Sequence, residues 1–469
     1  MTSGARRTIA VQAATAIGIA GLWLIAPPEG LDVRAWRLFA LFAGAIVSVV
    51  VKALPILTAS VLAVAASVLT GLLDPVDAYA GFSNGTILLI VIAFLVASTV
   101  VKCGLGTRGG HWIVSRFGRS TLGLSYSIFL LDAVIAPAFP SNTARSGVLY
   151  PLTYSLADAA GARPDRPDRQ RLGAFLMFSG IASLSVSSAL WLTAMVANPL
   201  GAEMARAAGV DIGFGRWLIA ASVPTLCAMA FLPVMLYRLI GPEVRATPDA
   251  PAAARKALAD LGPLARDERI VLVVFISMVA LWASAATIGL DSTAIAFLGL
   301  GVLLATGVIT LDDIGKQGDV LATFIWFAVL FTLSSQLNEL GFMGFLGRKL
   351  AGAFGGFAAP TAGFSLVAAY VLLHYLFVSQ TAHLLALFGV FLDVGIKLGV
   401  NPTLLAFQLL FATNYFSVLA PQGSSANLLF AGSGYLAQGD LYRLGAITTA
   451  VSMAIYLVIG TGWLLVVAR

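Results

Sequence analysis

The sequence predicts an all-α integral membrane protein of about 11 transmembrane helices plus two re-entrant hairpins, arranged as an inverted-topology repeat. Three observations predict it. Of 469 residues, 59% are hydrophobic and only 11% charged, with a mean hydropathy of +0.93, whereas soluble domains carry roughly 25% charge. Apolar stretches at 9–26, 56–73, 87–101, 270–288 and 446–467 reach or approach the roughly 18 residues that span a bilayer as a helix. Two polar knots, Pro-Ser-Asn-Thr-Ala-Arg-Ser-Gly at 140–147 and Ser-Gln-Thr-Ala-His at 379–383, interrupt apolar runs. In hydrocarbon, broken backbone is tolerated only where it is buried in protein or lines a wet cavity, so each knot is a candidate site. A β-barrel is excluded, because its strands would alternate.

Taken in order, Arg6 and Arg7 precede an apolar run with no convincing small-residue cleavage site, so 9–26 reads as the first membrane helix. Basic clusters at 108–119, 163–171 and 238–269 fall on one side if the N-terminus is cytoplasmic, with Arg348 and Lys349 the exception. The same rule accounts for the net charge of +6 without a nucleic-acid partner. The polar stretch near mid-chain divides an N-terminal half, 1–240, with a cytoplasm-entering hairpin at about 120–157, from a C-terminal half, 268–469. Residues 241–267 form the cytoplasmic linker, and the second hairpin, at about 355–393, enters from the opposite side.

The halves look like repeats. Gly71 and Gly307 are 236 residues apart, Gly104 and Gly341 are 237, and Ser141 and Ser379 are 238. Between the knots the chain makes five crossings, and an odd number puts the second knot on the other membrane face. Two apolar runs broken by polar residues and proline, 187–199 and 415–427, read as unwound helices beside the knots.

Ionisable side chains at membrane depth mark function by default. Arg145 sits at the start of a returning half-helix, where free backbone N–H groups already favour an anion. A guanidinium can grip a carboxylate with two parallel hydrogen bonds. His383 occupies the matching place in the second knot, and Lys102 ends the helix before the first hairpin. Three cations around one cavity suit a small di- or tricarboxylate. Plainer readings stand beside this one: Arg145 and Lys102 could snorkel, His383 and His374 could be core histidines, and Ser141 and Ser379 could be helix caps. Asp132 could pair with one of the cations.

The string Gly81-Phe82-Ser83-Asn84-Gly85 matches a serine-nucleophile pattern, with His374 or His383 as a conceivable base. In a chain with 47 glycines, a helix-capping role for Ser83 explains it more simply. No zincin, Walker or Cys-x-x-Cys pattern occurs, so no enzyme activity, cofactor or metal is expected, and Cys103 and Cys227 read as packing residues. The segment 111–119 reads as an interfacial helix.

The paired strings Ser141-Asn142-Thr143 and Ser379-Gln380-Thr381 resemble the signature motifs of the divalent-anion/sodium symporter family. Extended to Ala144-Arg145 and Ala382-His383, they resemble its exchanger branch of bacterial citrate/succinate antiporters and plastid 2-oxoglutarate/malate translocators. The resemblance runs from about Leu31 to the end. It implies a homodimer in the bacterial inner membrane, with scaffold and transport domains and elevator-type alternating access. In the sodium-coupled branch each tip and its neighbouring broken helix hold a sodium ion, and the tips bind substrate carboxylates. Carried over, substrate binding falls to Ser141, Asn142, Thr143, Ser379, Gln380, Thr381 and Pro421, with Thr193, Ala197 and Asn198 as broken-helix support. The chain departs by carrying Gln380 in place of Asn and by adding Arg145 and His383. In the exchanger branch such residues, with one at the Lys102 position, are thought to replace sodium.

Overall fold

The computed structural model describes residues 3–164, 169–354 and 356–467. Positions 165–168 of the basic cluster 163–171, and 355, where the second hairpin is expected to begin, lie outside the described residues, as do 1–2 and 468–469.

The first half runs through α1 (Ser3–Leu24), α2 (Val33–Val50), α3 (Ile56–Leu69), the single-turn α4 (Pro75–Ala78) and α5 (Gly85–Lys102). An amphipathic α6 (Leu105–Phe117) leads into a hairpin of α7 (Thr121–Ile135) and α8 (Asn142–Ala159). One broken helix follows, α9 (Gln170–Leu190) and α10 (Ala197–Ala207), then α11 (Phe214–Ile240) and α12 (Ala250–Asp260). The second half repeats the order: α13 (Arg266–Ile288), α14 (Ser292–Ala305), α15 (Leu311–Gly315), α16 (Gly318–Glu339) and an amphipathic α17 (Phe342–Phe354). Its hairpin is α18 (Ala359–Leu373) with α19 (Gln380–Lys397), and its broken helix is α20 (Pro402–Tyr415) with α21 (Ser425–Ala431). Last come α22 (Gln438–Ile455) and α23 (Thr461–Val467), joined by a π turn.

Among the described residues ten segments are long and apolar enough to cross a membrane. Three of them, Thr121–Ala138, Ala359–Leu376 and Gln380–Lys397, are hairpin arms. The helix α9 is apolar on every side and almost wholly buried, as such a helix must be. Its serines close their hydroxyls on their own helix, Ser183 on Gly180 O, Ser185 on Ala182 O and Ser188 on Leu184 O. Both hairpins pack beside it or its partner α20.

Local geometry recurs between the halves. Gly71 and Gly307 take left-handed φ values of +68° and +76°, ending helices that turn back so that the next two N–H groups bond one carbonyl, Ser67 O in one case and Leu303 O in the other. The N-caps of the returning arms, Ser141 and Ser379, have φ/ψ of −143°/124° and −140°/126°.

The linker is fastened to the first half. Thr247 N donates to Arg119 O (3.0 Å) and Thr121 N to Arg245 O (3.1 Å). Arg108 clamps Glu268 (2.7 Å) and donates to Gly262 O (2.8 Å). Glu243 caps the start of α9, accepting from the backbone N–H groups of Arg171 (3.1 Å) and Leu172 (3.0 Å). The string at 81–85 is a packing device: Gly81 N donates to Thr332 Oγ1 (2.9 Å), and a Cβ there would strike the Ala328 carbonyl. The capping role expected of Ser83 belongs to Asn84, which accepts from Ile87 N (3.1 Å), while the Ser83 hydroxyl donates to Ala80 O (3.1 Å). Asn84 wins because its longer side chain reaches the first-turn N–H.

Candidate functional site

The two hairpin tips meet. Ser141 and Ser379 cap α8 and α19, each accepting from the third N–H beyond (Ala144 N and Ala382 N, both 3.3 Å). Each helix start keeps further unpaired N–H groups pointing off its end. The tip residues Ser141, Asn142, Thr143, Ser379, Gln380 and Thr381 line one cavity of about 190 Å³. Ser424 and Ser425 of the second break complete its polar wall, and Phe94, Trp326 and Phe327 of α5 and α16 its apolar one. Two positive helix ends and a ring of hydroxyls and amides, closed by aromatics, form a binding place for a small anion.

A polar network stands behind the first tip. Arg145 is fully buried, its Nη1 donating to Asp132 Oδ1 (3.1 Å) and Ser187 Oγ (2.8 Å), and its Nη2 to Asn142 Oδ1. Ser187 in turn donates to Asp132 Oδ2 (2.5 Å). Asn142 Nδ2 donates across to Gln380 Oε1 (3.1 Å), and Gln380 Nε2 to Thr413 O (2.8 Å) and Asn414 O (3.4 Å) at the end of α20. Thr143 and Ser425 share a hydroxyl bond of 2.6 Å.

The second tip is backed differently. His383, also fully buried, makes no hydrogen bond through either ring nitrogen. It lies edge-on to Tyr370 (4.3 Å between centroids), beside Phe416 (4.7 Å) and Phe377 (4.8 Å). His374 stacks on Phe416 and donates from Nε2 to Gly423 O (2.8 Å). Tyr370 follows Asp132 by 238 residues and Phe416 follows Ser187 by 229. The charged trio of one half is thus an aromatic trio in the other.

Lys102 does not join the tips. Its Nζ bonds Asp313 Oδ2 (2.8 Å) and Val308 O (3.0 Å), because α5 ends beside the turn after α14 and outside the hairpins. Among the broken-helix residues, Thr193 donates to Pro137 O (3.0 Å) and holds the first tip, and Ala197 is buried. Asn198 braces its break by donating to Ser188 O (2.9 Å) and Trp191 O (3.2 Å). Pro421 opens the turn Pro421–Gly423, short of the cavity wall that Ser424 and Ser425 form.

The sequence-family model described as "Sodium:sulfate symporter transmembrane region" matches residues 6–468. The chain belongs to this family, the divalent-anion/sodium symporters. Like the family, it is a multi-pass membrane transporter and not an enzyme. YflS of Bacillus subtilis, whose name points to malate, is 38% identical over 94% of this chain and 93% of its own length. Dicarboxylate transporter 2 of Spinacia oleracea chloroplasts is 36% identical over 98% of this chain and 83% of its own. The L-tartrate/succinate antiporter of Shigella sonnei is 29% identical, covering 96% of both. The fold is that of the Neisseria gonorrhoeae transporter MtrF, at a TM-score of 0.62, 12% identity and coverage of 96% of this chain and 97% of that one.

Several site groups of this symporter-family chain escaped sequence reading. Asn427 donates to Ser417 O (2.7 Å) and Ala420 O (3.3 Å), repeating the Asn198 brace 229 residues later. Asn414 joins the two breaks through Asn198 Oδ1 (2.8 Å). The 229-residue offset was the available signal. Phe94 and Trp326, apolar residues within apolar helices, carried none.

Proposed function

We propose that the chain is a secondary active antiporter that exchanges di- or tricarboxylates of the C4-dicarboxylate, 2-oxoglutarate or citrate type across a bacterial inner membrane, without sodium. The reading takes the N-terminus as cytoplasmic, the halves as an inverted repeat of residues 1–240 and 268–469, and a homodimer working by elevator-type motion. One observation carries it: two capped helix starts converge on a single cavity, with a permanent guanidinium held against the amide of one tip. That guanidinium takes the Asn142 carbonyl oxygen, an oxygen of the kind a bound cation would use. The names of the relatives, dicarboxylate transporters and a tartrate/succinate antiporter, support the anion class and the exchange.

The basis for exchange differs from the one that charge alone suggested. Arg145 does not cross uncompensated, because Asp132 neutralises it. What an empty carrier would drag past Phe94 and Trp326 is two helix starts with unanswered N–H groups, at a cost of about 1–3 kcal/mol per unsatisfied group. A bound carboxylate answers them. Counterflow in proteoliposomes tests this with a panel of C4 to C6 acids, with and without sodium. Labelled succinate should enter only against internal dicarboxylate and ignore sodium. Sodium-driven uptake into empty vesicles would favour sodium-coupled symport, and displacement by sulfate but not by malate would favour an oxyanion carrier.

A further inference from the structure

The bonds across the two tips all point one way. Arg145 donates to Asn142, Asn142 to Gln380, and Gln380 to the carbonyls of Thr413 and Asn414. All three side chains are at most 7% exposed. Hydrogen bonds aligned head to tail in a low-dielectric interior polarise one another, so positive potential from the guanidinium reaches the second tip through two carboxamides.

The far end of that chain is the carbonyl end of α20. There the last C=O groups lack helical partners and the helix dipole is negative, which is a setting for a cation. No charged side chain serves it: His383 turns both ring nitrogens into an aromatic box and bonds neither carbonyl. The group that does reach those carbonyls is the Gln380 amide. We propose that Gln380 stands in for a metal cation at the second broken helix, using charge relayed from the single guanidinium of Arg145.

The length of the side chain matters. An asparagine at 380 would hold its amide about 1.5 Å short, one carbon–carbon bond, and leave the Thr413 and Asn414 carbonyls facing an unfilled space. Gln380→Asn should therefore open that place to a monovalent cation. The inference rests on the reading that these tips hold the transported anion, and its first test is chosen to need no substrate.

Thermal unfolding of the purified full-length protein is measured in sodium chloride and in choline chloride, followed by succinate counterflow in the same salts. Wild type should melt alike in both. Gln380→Asn should melt higher in sodium, as any ligand of the native state requires, and its counterflow should rise about tenfold from choline to sodium, within the usual range of coupling between two sites. Gln380→Met keeps the length, fills the space and lacks the donor, so it should lose counterflow with no rescue by sodium. A Gln380→Asn protein whose melting and counterflow both ignore sodium overturns the proposal. So does sodium rescue of Gln380→Met as strong as that of Gln380→Asn. Sodium dependence of wild-type counterflow would instead count against sodium-independent exchange, while the shift between the two variants would still report on Gln380.

Discussion

Arg145 and Asp132 form a fully buried ion pair (3.1 Å) in which each charge is tolerable only because of the other. Asp132→Asn should cost about 3–5 kcal/mol, because it strands a guanidinium in the protein interior. Adding Arg145→Gln should recover much of that stability and leave counterflow abolished, since the tip then lacks its donor. Denaturation of the single and double variants, beside transport, checks both halves. Lys102→Met should leave counterflow near wild type, as its ammonium answers Asp313 and Val308 O instead of the tips. The knots were legible because polar residues in an apolar run have to be explained. The partner of Arg145 was not legible: Asp132 lies on the opposite arm, and sequence spacing does not say which side chains two arms turn toward each other.

At the level of elements, the paired breaks hold their shape through Asn198 and Asn427, each closing two carbonyls released where its helix stops. Leucine at either place leaves those carbonyls unanswered, a loss of about 1–3 kcal/mol per group. Melting of Asn198→Leu and Asn427→Leu should fall by similar amounts if the halves are equivalent. The linker gives a second prediction. Burial pushes the Glu243 carboxyl up, but its own backbone, the Arg171 and Leu172 N–H groups and the Arg171 guanidinium outweigh that and hold it below the usual carboxylate range. A depressed folded value means that the anchoring is in place above the ordinary carboxylate pKa and fades as pH falls through the lowered one. Glu243→Gln should therefore speed proteolysis of 241–265 at neutral pH, whereas wild type should become equally sensitive only on strong acidification. Helix number, the two hairpins and the two breaks could be read from hydropathy and its interruptions. The braces could not, because an asparagine inside an apolar run announces burial without naming the carbonyl it serves.

Across the whole molecule, the halves agree in cap angles and glycine turns yet differ in what backs each tip, an ion pair in one and aromatics in the other. The ion pair also bears on how the chain enters the membrane. The arm α8, carrying Arg145, is not among the segments apolar enough to cross by themselves, whereas α7, carrying Asp132, is. Taken up together, the arms form a neutral unit; taken up singly, α8 would carry a bare guanidinium into lipid. The hairpin should accordingly be inserted by the translocation machinery as one piece, once synthesis has passed Ala160. In a ribosome-bound fragment ending there, Asp132→Asn should leave the second arm open to protease at the cytoplasmic surface, while the native pair shelters it. The same contact that steadies the finished carrier would then act earlier, as the condition on which the nascent hairpin is admitted to the bilayer at all.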